Sequence, residues 1–236
     1  MATTTQAGFR AQSVTIPAGV MLSGDLTIPD NARGVVVFAH GSGSSRFSPR
    51  NQRVAGQLQA GGFATLLFDL LTADEEALDE RTAQLRFDIP MLADRLVHAT
   101  DWLGTQAATR GLHIGYFGAS TGAAAALIAA AKRPDVVRAV VSRGGRPDLA
   151  GPALTRVKAP TLLIVGGNDV PVIGMNQSAL AQLATTTKRL EIVPGATHLF
   201  EEPGTLDRVC DLARVWFDQY LAATPRSRDE DDSEIC

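Results

Sequence analysis

The stretch LHIGYFGASTGAAAAL, residues 112–127, is the part of the sequence that best indicates the fold. It opens with Leu112–Phe117, an apolar run of strand length, and closes with an alanine-rich run typical of a helix. Between them, Gly118–Gly122 has the form Gly-x-Ser-x-Gly, in which a serine stands on a sharp turn from strand to helix. The small flanking residues let strand and helix approach closely, so Ser120 is predicted to be exposed at the carboxyl end of a sheet.

Apolar runs of strand length recur on both sides of this stretch. From Val35 onward they are mostly continuous apolar segments, which suits strands buried on both faces of a parallel sheet. The first two indicate an antiparallel hairpin. The runs are Val14–Ile16, Val20–Ile28, Val35–Phe38, Ala64–Phe68, Val137–Val141, Thr161–Val165 and Leu190–Val193.

Helical stretches alternate with these strands, at about residues 50–60, 88–106, 121–133, 174–184 and 205–221. Alternation predicts an α/β fold, a mostly parallel sheet of about eight strands flanked by helices and joined by right-handed crossovers. We expect one domain over residues 1–224 without a separate cap domain, because no insertion is long enough for one. The charged segment Thr72–Arg86 is predicted to be an exposed loop or short helix near the mouth of any site.

The charge balance argues against nucleic acid and membrane surfaces as partners. The net charge is −3, and the last twelve residues, 225–236, hold two arginines and five acids, so the rest of the chain is formally neutral. A neutral body gives no general attraction to polyanions. We expect the acidic tail, residues 225–236, to be disordered.

The location is predicted to be cytoplasmic. The first residues carry no apolar signal-peptide core, and the longest apolar runs fall well short of the roughly 20 residues that span a bilayer. Two cysteines, Cys210 and Cys236, are too few and too far apart for a disulfide framework or a cysteine-rich zinc site. The oligomeric state is left open.

A serine hydroxyl needs an adjacent base, and that base needs an orienting acid. Of the four histidines, His198 lies in a Gly/Pro loop directly after the last predicted strand, on the same sheet edge as Ser120, whereas His40 is better placed to shape a loop. Asp169 follows the strand Thr161–Val165, which gives the chain order Ser, Asp, His. Asp148, after the preceding strand, is the reserve candidate for the acid.

A tetrahedral oxyanion needs backbone N–H donors fixed at the developing charge. One donor is expected from Thr121, the residue after the serine. The second is expected from the glycine-bearing loop after Val35–Phe38, where we assign the amide of Ser42, with that of Gly43 as the next candidate. A phosphate-binding role for this loop is disfavoured, since the pattern Gly-x-x-x-x-Gly-Lys is absent.

These motifs resemble the α/β-hydrolase superfamily, over roughly residues 20–221. The runs HGSGSSRFSPRN (40–51), FGASTGAAAAL (117–127), SRGGRPDLA (142–150) and PGATHLFEEPG (194–204) resemble its dienelactone hydrolase-related branch, including bacterial members that occur fused to phosphoribosyltransferase domains. Dienelactone hydrolases proper carry a cysteine nucleophile, and this chain has Ser120. The resemblance therefore implies acyl transfer through a covalent intermediate, with a substrate other than dienelactone.

The expected activity is that of a serine hydrolase acting on a carboxylic ester or related acyl bond of a small molecule, with neither metal nor organic cofactor required. Arg46 and Arg143 follow strand ends and can grip a carboxylate or phosphate, so an anionic substrate is one interpretation; surface or structural ion pairs are the other. Two further classes stay open: an acyltransferase using the same residues, and a ligand-binding protein without catalysis.

Overall fold

The computed structural model describes residues 3–6 and 8–222, and for residues 3–6 the backbone alone. The predicted acidic tail, residues 225–236, lies outside the described residues. The strands are β1 (Thr3–Gln6), β2 (Phe9–Pro17), β3 (Met21–Pro29), β4 (Val35–Ala39), β5 (Ala64–Phe68), β6 (Ile114–Ala119), β7 (Val137–Arg143), β8 (Thr161–Gly166) and β9 (Lys188–Val193). The helices are α1 (Pro49–Ala60), α2 (Ala73–Thr82), α3 (Ile89–Thr105), α4 (Thr121–Lys132), α5 (Val170–Gln182) and α6 (Thr205–Tyr220), with 3₁₀ segments at Leu85–Phe87 and Pro147–Arg156.

One sheet holds the described strands, in the order β1-β2-β3-β5-β4-β6-β7-β8-β9. The β2–β3 hairpin is antiparallel, as predicted, and β3 joins β5 antiparallel. All pairs from β5 through β4 to β9 are parallel. The residues of β4, β5, β6 and β8 are buried throughout, which is why these runs are continuously apolar in the sequence. The carboxyl ends of the parallel strands therefore meet at one edge.

Helices cover both faces of the sheet. Alternate side chains of β4 illustrate the division: Val35 and Val37 belong to the core beneath α3 and α4, and Val36 and Phe38 to the core beneath α1 and α6. The α/β class and the parallel sheet with its N-terminal hairpin are confirmed. Among the described residues no inserted cap domain occurs.

Three details differ from the sequence prediction or refine it. The ninth strand, β1, was not predicted, because a short polar Thr-rich run carries no apolar alternation and forms by pairing with the edge of β2. Helix α5 begins at Val170, four residues before the predicted start at Gly174, since Pro171 is well placed in a first helical turn. The segment Thr72–Arg86 contains the helix α2, which starts with a reciprocal Thr72–Glu75 capping box. Within the described residues, no helix has the length and apolar character required to cross a membrane.

Candidate active site

Ser120 occupies the turn between β6 and α4, as predicted. Its backbone has φ 50° and ψ −122°, a strained conformation for a residue with a side chain. The turn requires glycine at positions 118 and 122. A Cβ on Gly122 would lie 2.2 Å from the Ala39 carbonyl oxygen, and one on Gly118 would lie 2.5 Å from Ala123 Cα. Only glycine allows β4, β6 and α4 to approach this closely.

The Ser120 backbone is fixed while its side chain is not used for capping. Its N–H donates to the Arg143 carbonyl (3.3 Å), and its own carbonyl accepts from the Arg146 N–H (3.0 Å). Ser120 stands at the N-cap of α4 but forms no side-chain capping hydrogen bond. A serine that served as a helix cap would use its hydroxyl for this purpose, so the geometry favours the alternative, an exposed hydroxyl.

Asp169 and His198 meet across two neighbouring loops. Asp169 Oδ2 lies 2.6 Å from His198 Nδ1, with the Asp169 side chain 12% exposed and the His198 side chain 38% exposed. The loops are joined by backbone bonds from Asn168 N–H to the Ala196 carbonyl (2.9 Å) and from Gly167 N–H to the Val193 carbonyl (2.8 Å). An acid on Nδ1 orients the ring so that Nε2 is the nitrogen available to act as base. Asp148, the reserve candidate, is instead ion-paired with Arg146 (2.8 Å).

His198 and Ser120 lie on either side of the segment Arg143–Gly144. A Cβ on Gly144 would be 2.9 Å from the His198 carbonyl oxygen and 3.6 Å from its Nδ1, while the preceding carbonyl of Arg143 binds the Ser120 amide. Ser120 and His198 are both described, and the Ser120 hydroxyl does not donate a hydrogen bond to the His198 imidazole. Catalytic contacts of this kind are often long in the free state and shorten when substrate binds.

Glu202 fixes the loop that carries His198, a role that the sequence pattern did not reveal. Its carboxylate accepts from Thr197 N–H (3.1 Å) and from the Thr197 hydroxyl (2.6 Å). The Thr197 hydroxyl is the main reason that the pKa of Glu202 lies below its usual range. Glu202 thus remains ionised and holds the residue next to His198.

The structure brings Ser42 and Thr121, the residues predicted to supply the oxyanion donors, into contact. A Cβ on Gly41 would be 2.9 Å from Ser120 Cβ, so the loop passes directly beside the serine. In this loop the Ser42 N–H donates to Thr121 Oγ1 (3.0 Å), and the two hydroxyls lie 3.0 Å apart. The Ser42 amide therefore lies in the loop beside Ser120, where its N–H is engaged by the Thr121 side chain.

His40 anchors this loop, which agrees with the role predicted for it. His40 Nε2 accepts from the Leu70 N–H (2.9 Å), so the ring proton resides on Nδ1, 3.0 Å from the Gly41 carbonyl oxygen that it can bind. Burial lowers the pKa of His40. The Gly41 carbonyl and the Ser42 N–H belong to one planar peptide and point in opposite directions. By holding the carbonyl, neutral His40 directs the Ser42 N–H toward Thr121.

The two predicted arginines occupy different environments. Arg46 Nε lies 3.1 Å from Asp25 Oδ2, and its Nη1 is ion-paired with Asp69. Arg143 is 6% exposed, its Nη2 donates to Asn51 Oδ1 (3.3 Å), and its buried Nε has no hydrogen-bond partner in the described structure. Arg46 is thus neutralised by carboxylates, and Arg143 is paired only with an amide.

A cleft of about 160 Å³ opens beside the oxyanion loop. Its walls are acidic, and burial is the main cause that raises the pKa of Glu76 there. Asp79 is neutralised by Arg86 (2.5 Å). The lining residues are His40, Gly41, Ser42, Gly43, Ser44, Asp69, Leu70, Leu71, Glu76, Asp79, Glu80, Arg86, Leu92 and Thr121.

A parallel sheet with this order, a serine on a strained turn after β6, and an Asp–His pair in the loops after β8 and β9 define an α/β hydrolase. A sequence model of the dienelactone hydrolase family matches residues 22–219. The chain belongs to that family.

Two curated relatives match most of the chain. Two curated proteins from Mycobacterium tuberculosis, strains H37Rv and CDC 1551, are 58% identical over 214 residues, which is 90% of this chain and 47% of theirs. Both are named provisionally as phosphoribosyl transferases, and the chain spans about half of their length.

Solved structures show the same fold. The crystal structure of a dienelactone hydrolase from Anabaena variabilis is 62% identical, with a TM-score of 0.89, over 91% of this chain and 99% of that one. Est1E from Butyrivibrio proteoclasticus is 15% identical with a TM-score of 0.73, over 88% of this chain and 98% of that one, and shows likeness of fold alone.

Proposed function

We propose that this protein is a serine hydrolase that cleaves a carboxylic ester, or a related acyl bond, of a small-molecule substrate. The observation that carries the proposal is the 2.6 Å contact between Asp169 and His198 at the sheet edge where Ser120 stands in a strained conformation. Strain of this kind is retained where function requires it. Family membership supports a hydrolase, and the ester bond is the finer part of the proposal.

His198 Nε2 removes the proton of Ser120 as the hydroxyl oxygen attacks the substrate carbonyl carbon. Asp169 holds the imidazole in the tautomer with the proton on Nδ1 and stabilises the imidazolium that forms. The imidazolium then gives its proton to the leaving alcohol as the ester bond breaks. Water repeats the cycle on the acyl-enzyme and releases the acid. Besides substrate and water, these steps use only side chains and backbone of the chain.

The oxyanion is stabilised by the backbone N–H of Thr121 and that of Ser42. Because the Ser42 N–H donates to Thr121 Oγ1 in the free protein, the oxyanion must replace that hydroxyl as acceptor. This exchange favours the transition state when the developing negative charge is a stronger acceptor than the neutral threonine oxygen.

The substrate is proposed to be a small molecule. We also propose that the protein is located in the cytoplasm and binds neither nucleic acid nor membranes. The name of the mycobacterial relatives describes proteins about twice as long, and the half that this chain does not match can carry an activity of its own. We assign the hydrolase chemistry to the region that the chain shares with them.

Labelling by a fluorophosphonate probe tests the nucleophile. The wild-type protein should be labelled at Ser120, and Ser120→Ala should remove the label. Ser48→Ala is the matched control, because Ser48 also stands at a helix N-cap but uses its hydroxyl to accept from the Asn51 N–H. If the label persists in Ser120→Ala and is lost in Ser48→Ala, the assignment is wrong.

Product analysis separates the remaining classes. A hydrolase releases the free acid from an ester whether or not an alcohol or amine acceptor is added, whereas an acyltransferase forms a product that depends on the acceptor. A ligand-binding protein binds esters without turnover, and the folded wild type would then remain unlabelled.

A further inference from the structure

Arg143 is a buried cation without an anionic partner among the described residues. It is 6% exposed, its Nε is buried and unbonded, and its one side-chain hydrogen bond is to the neutral amide of Asn51. Burial, and then the nearby charge of Arg50, lower the pKa of Arg143 to about 10, so it is still charged at neutral pH. An unpaired buried charge is strongly unfavourable, which suits a site that an anion completes.

Arg50 adds a second cation at the same place. It lies in the first turn of α1, next to Asn51, and its Nε is also buried without a partner. The amino-terminal end of a helix favours negative charge. Arg50 Nη1 contacts the carboxylate of Glu201 (3.1 Å), a residue whose side chain is 63% exposed and lies three positions after His198. Among the described residues, the one carboxylate ion-paired with this cluster is thus that of Glu201, an exposed side chain.

The position of the cluster links it to the serine. Arg143 ends β7, and its carbonyl accepts the Ser120 N–H, while its side chain extends onto the face of the sheet that α1 and α6 cover. The acidic cleft, in which Glu76 and Glu80 have no ion pair among the described residues, lies beside Ser42 instead. An anionic group on a substrate is repelled by that cleft and attracted by the arginine cluster.

We propose that Arg143 and Arg50 form a binding site for a small oxyanion, a carboxylate or a phosphate group, and that Glu201 occupies Arg50 until the anion replaces it. Arg50, 30% exposed, is the outer residue, and its release from Glu201 opens the way to Arg143. Each guanidinium group can donate two parallel hydrogen bonds to two oxygens of a carboxylate or phosphate group. That this anion is part of the molecule cleaved at Ser120 rests on the proposed function.

Calorimetric titration with inorganic phosphate and with succinate tests the site without requiring catalysis. We expect both anions to bind the wild type and Arg143→Lys or Arg50→Gln to weaken binding about tenfold. Glu201→Gln should strengthen binding, because the internal competitor is removed. Arg53→Gln is the control: Arg53 lies on the same helix but pairs with Asp207 and not with Glu201, and its loss should leave the affinity unchanged. Equal affinities in wild type, Arg50→Gln and Glu201→Gln would overturn the site.

Hydrolysis of monoethyl succinate and diethyl succinate tests the link to Ser120. For Arg50→Gln, kcat/KM should fall about tenfold on the anionic monoester and stay near wild type on the neutral diester. Equal losses on the two esters overturn the substrate role while the hydrolase function stands. If phosphate binding depends on the arginines but neither ester is cleaved and Ser120 is not labelled, the anion site stands and the proposed function fails. The Arg50 side chain is 30% exposed, so Arg50→Gln keeps the test valid if an Arg143 variant fails to fold.

Discussion

At the residue scale, the two acids that follow neighbouring strands have separate partners. Asp169 binds His198, and Asp148 binds Arg146. Asp169→Asn keeps the shape of the pair but favours the wrong imidazole tautomer and removes the charge that stabilises the imidazolium. We expect kcat to fall by on the order of 10³ to 10⁴, as for an orienting acid in a serine triad. Steady-state hydrolysis of an ester that the wild type cleaves measures this.

Asp148→Asn is the control for that experiment, and its kcat should remain close to wild type. A large loss in Asp148→Asn together with wild-type activity in Asp169→Asn would show that the reserve candidate is the acid. The sequence order alone allowed either residue. The structure distinguishes the two acids because the loops after β8 and β9 meet. That contact depends on backbone hydrogen bonds such as the one from Asn168 N–H to the Ala196 carbonyl.

His40 makes a second prediction at this scale. Burial lowers its pKa in the folded protein below the value of 6.5 of an unperturbed histidine. The unfolded chain therefore binds more protons in this range. Neutral His40 therefore contributes fully to the free energy of unfolding above about pH 6.5. This contribution is lost as pH falls toward the folded pKa, by up to about 1.4 kcal/mol per pH unit for one proton.

Chemical denaturation of wild type and His40→Asn between pH 5 and pH 7.5 measures this dependence. The asparagine variant retains an acceptor and a donor for the loop but does not titrate, so its free energy of unfolding should change less with pH. His98→Asn, on the exposed face of α3, controls for the loss of a histidine elsewhere. Equal pH slopes in wild type and His40→Asn would contradict the prediction.

At the scale of elements, the crossing of β4, β6 and α4 depends on Gly122. A Cβ there would lie 2.2 Å from the Ala39 carbonyl oxygen and 2.5 Å from that of His40. Gly122→Ala must push α4 away from β4, and we expect a loss of about 3 kcal/mol in the free energy of unfolding. Gly56→Ala on α1 is the matched control, since no atom lies within 4 Å of its added Cβ. It should stabilise the helix by about 1 kcal/mol, and urea denaturation measures both variants. A free energy of unfolding that is unchanged or raised in Gly122→Ala would contradict the crossing.

Much of this element pattern could be read from the sequence. The elbow at Ser120 was predictable because strand, glycines and helix are contiguous, and His198 and Asp169 because each directly follows an apolar strand. Glu202 was not, since its contact with Thr197 depends on how an irregular loop folds back. Arg50 was missed for a similar reason: Arg143 is distant in sequence and comes near it only in the folded protein, where Arg143 donates to Asn51 of α1.

At the scale of the whole molecule, the body has no net charge, but negative and positive side chains lie on opposite sides of the site. Acidic side chains line the cleft on the Ser42 side, and Arg143 and Arg50 lie on the α1 side. Most other arginines near this edge are neutralised: Arg46 by two aspartates and Arg86 by Asp79. Composition gives a sum of charges, whereas the fold decides which of them are paired. The charge that remains unpaired at Arg143 could not be predicted before the sheet order was known.

The two tryptophans, one on each face of the sheet, report on whether the molecule unfolds as one unit. Trp102 packs against the core beneath α3 and α4, and Trp216, 7% exposed, belongs to the core beneath α1 and α6. The same strands supply both cores, because successive residues of β4 alternate between them. Neither face can lose its packing while the other keeps it, so we expect a single cooperative transition. In the single-tryptophan variants Trp102→Phe and Trp216→Phe, the midpoint from fluorescence should equal the midpoint from far-ultraviolet circular dichroism within each variant. Midpoints that differ between the two probes in either variant would show that one face unfolds before the other.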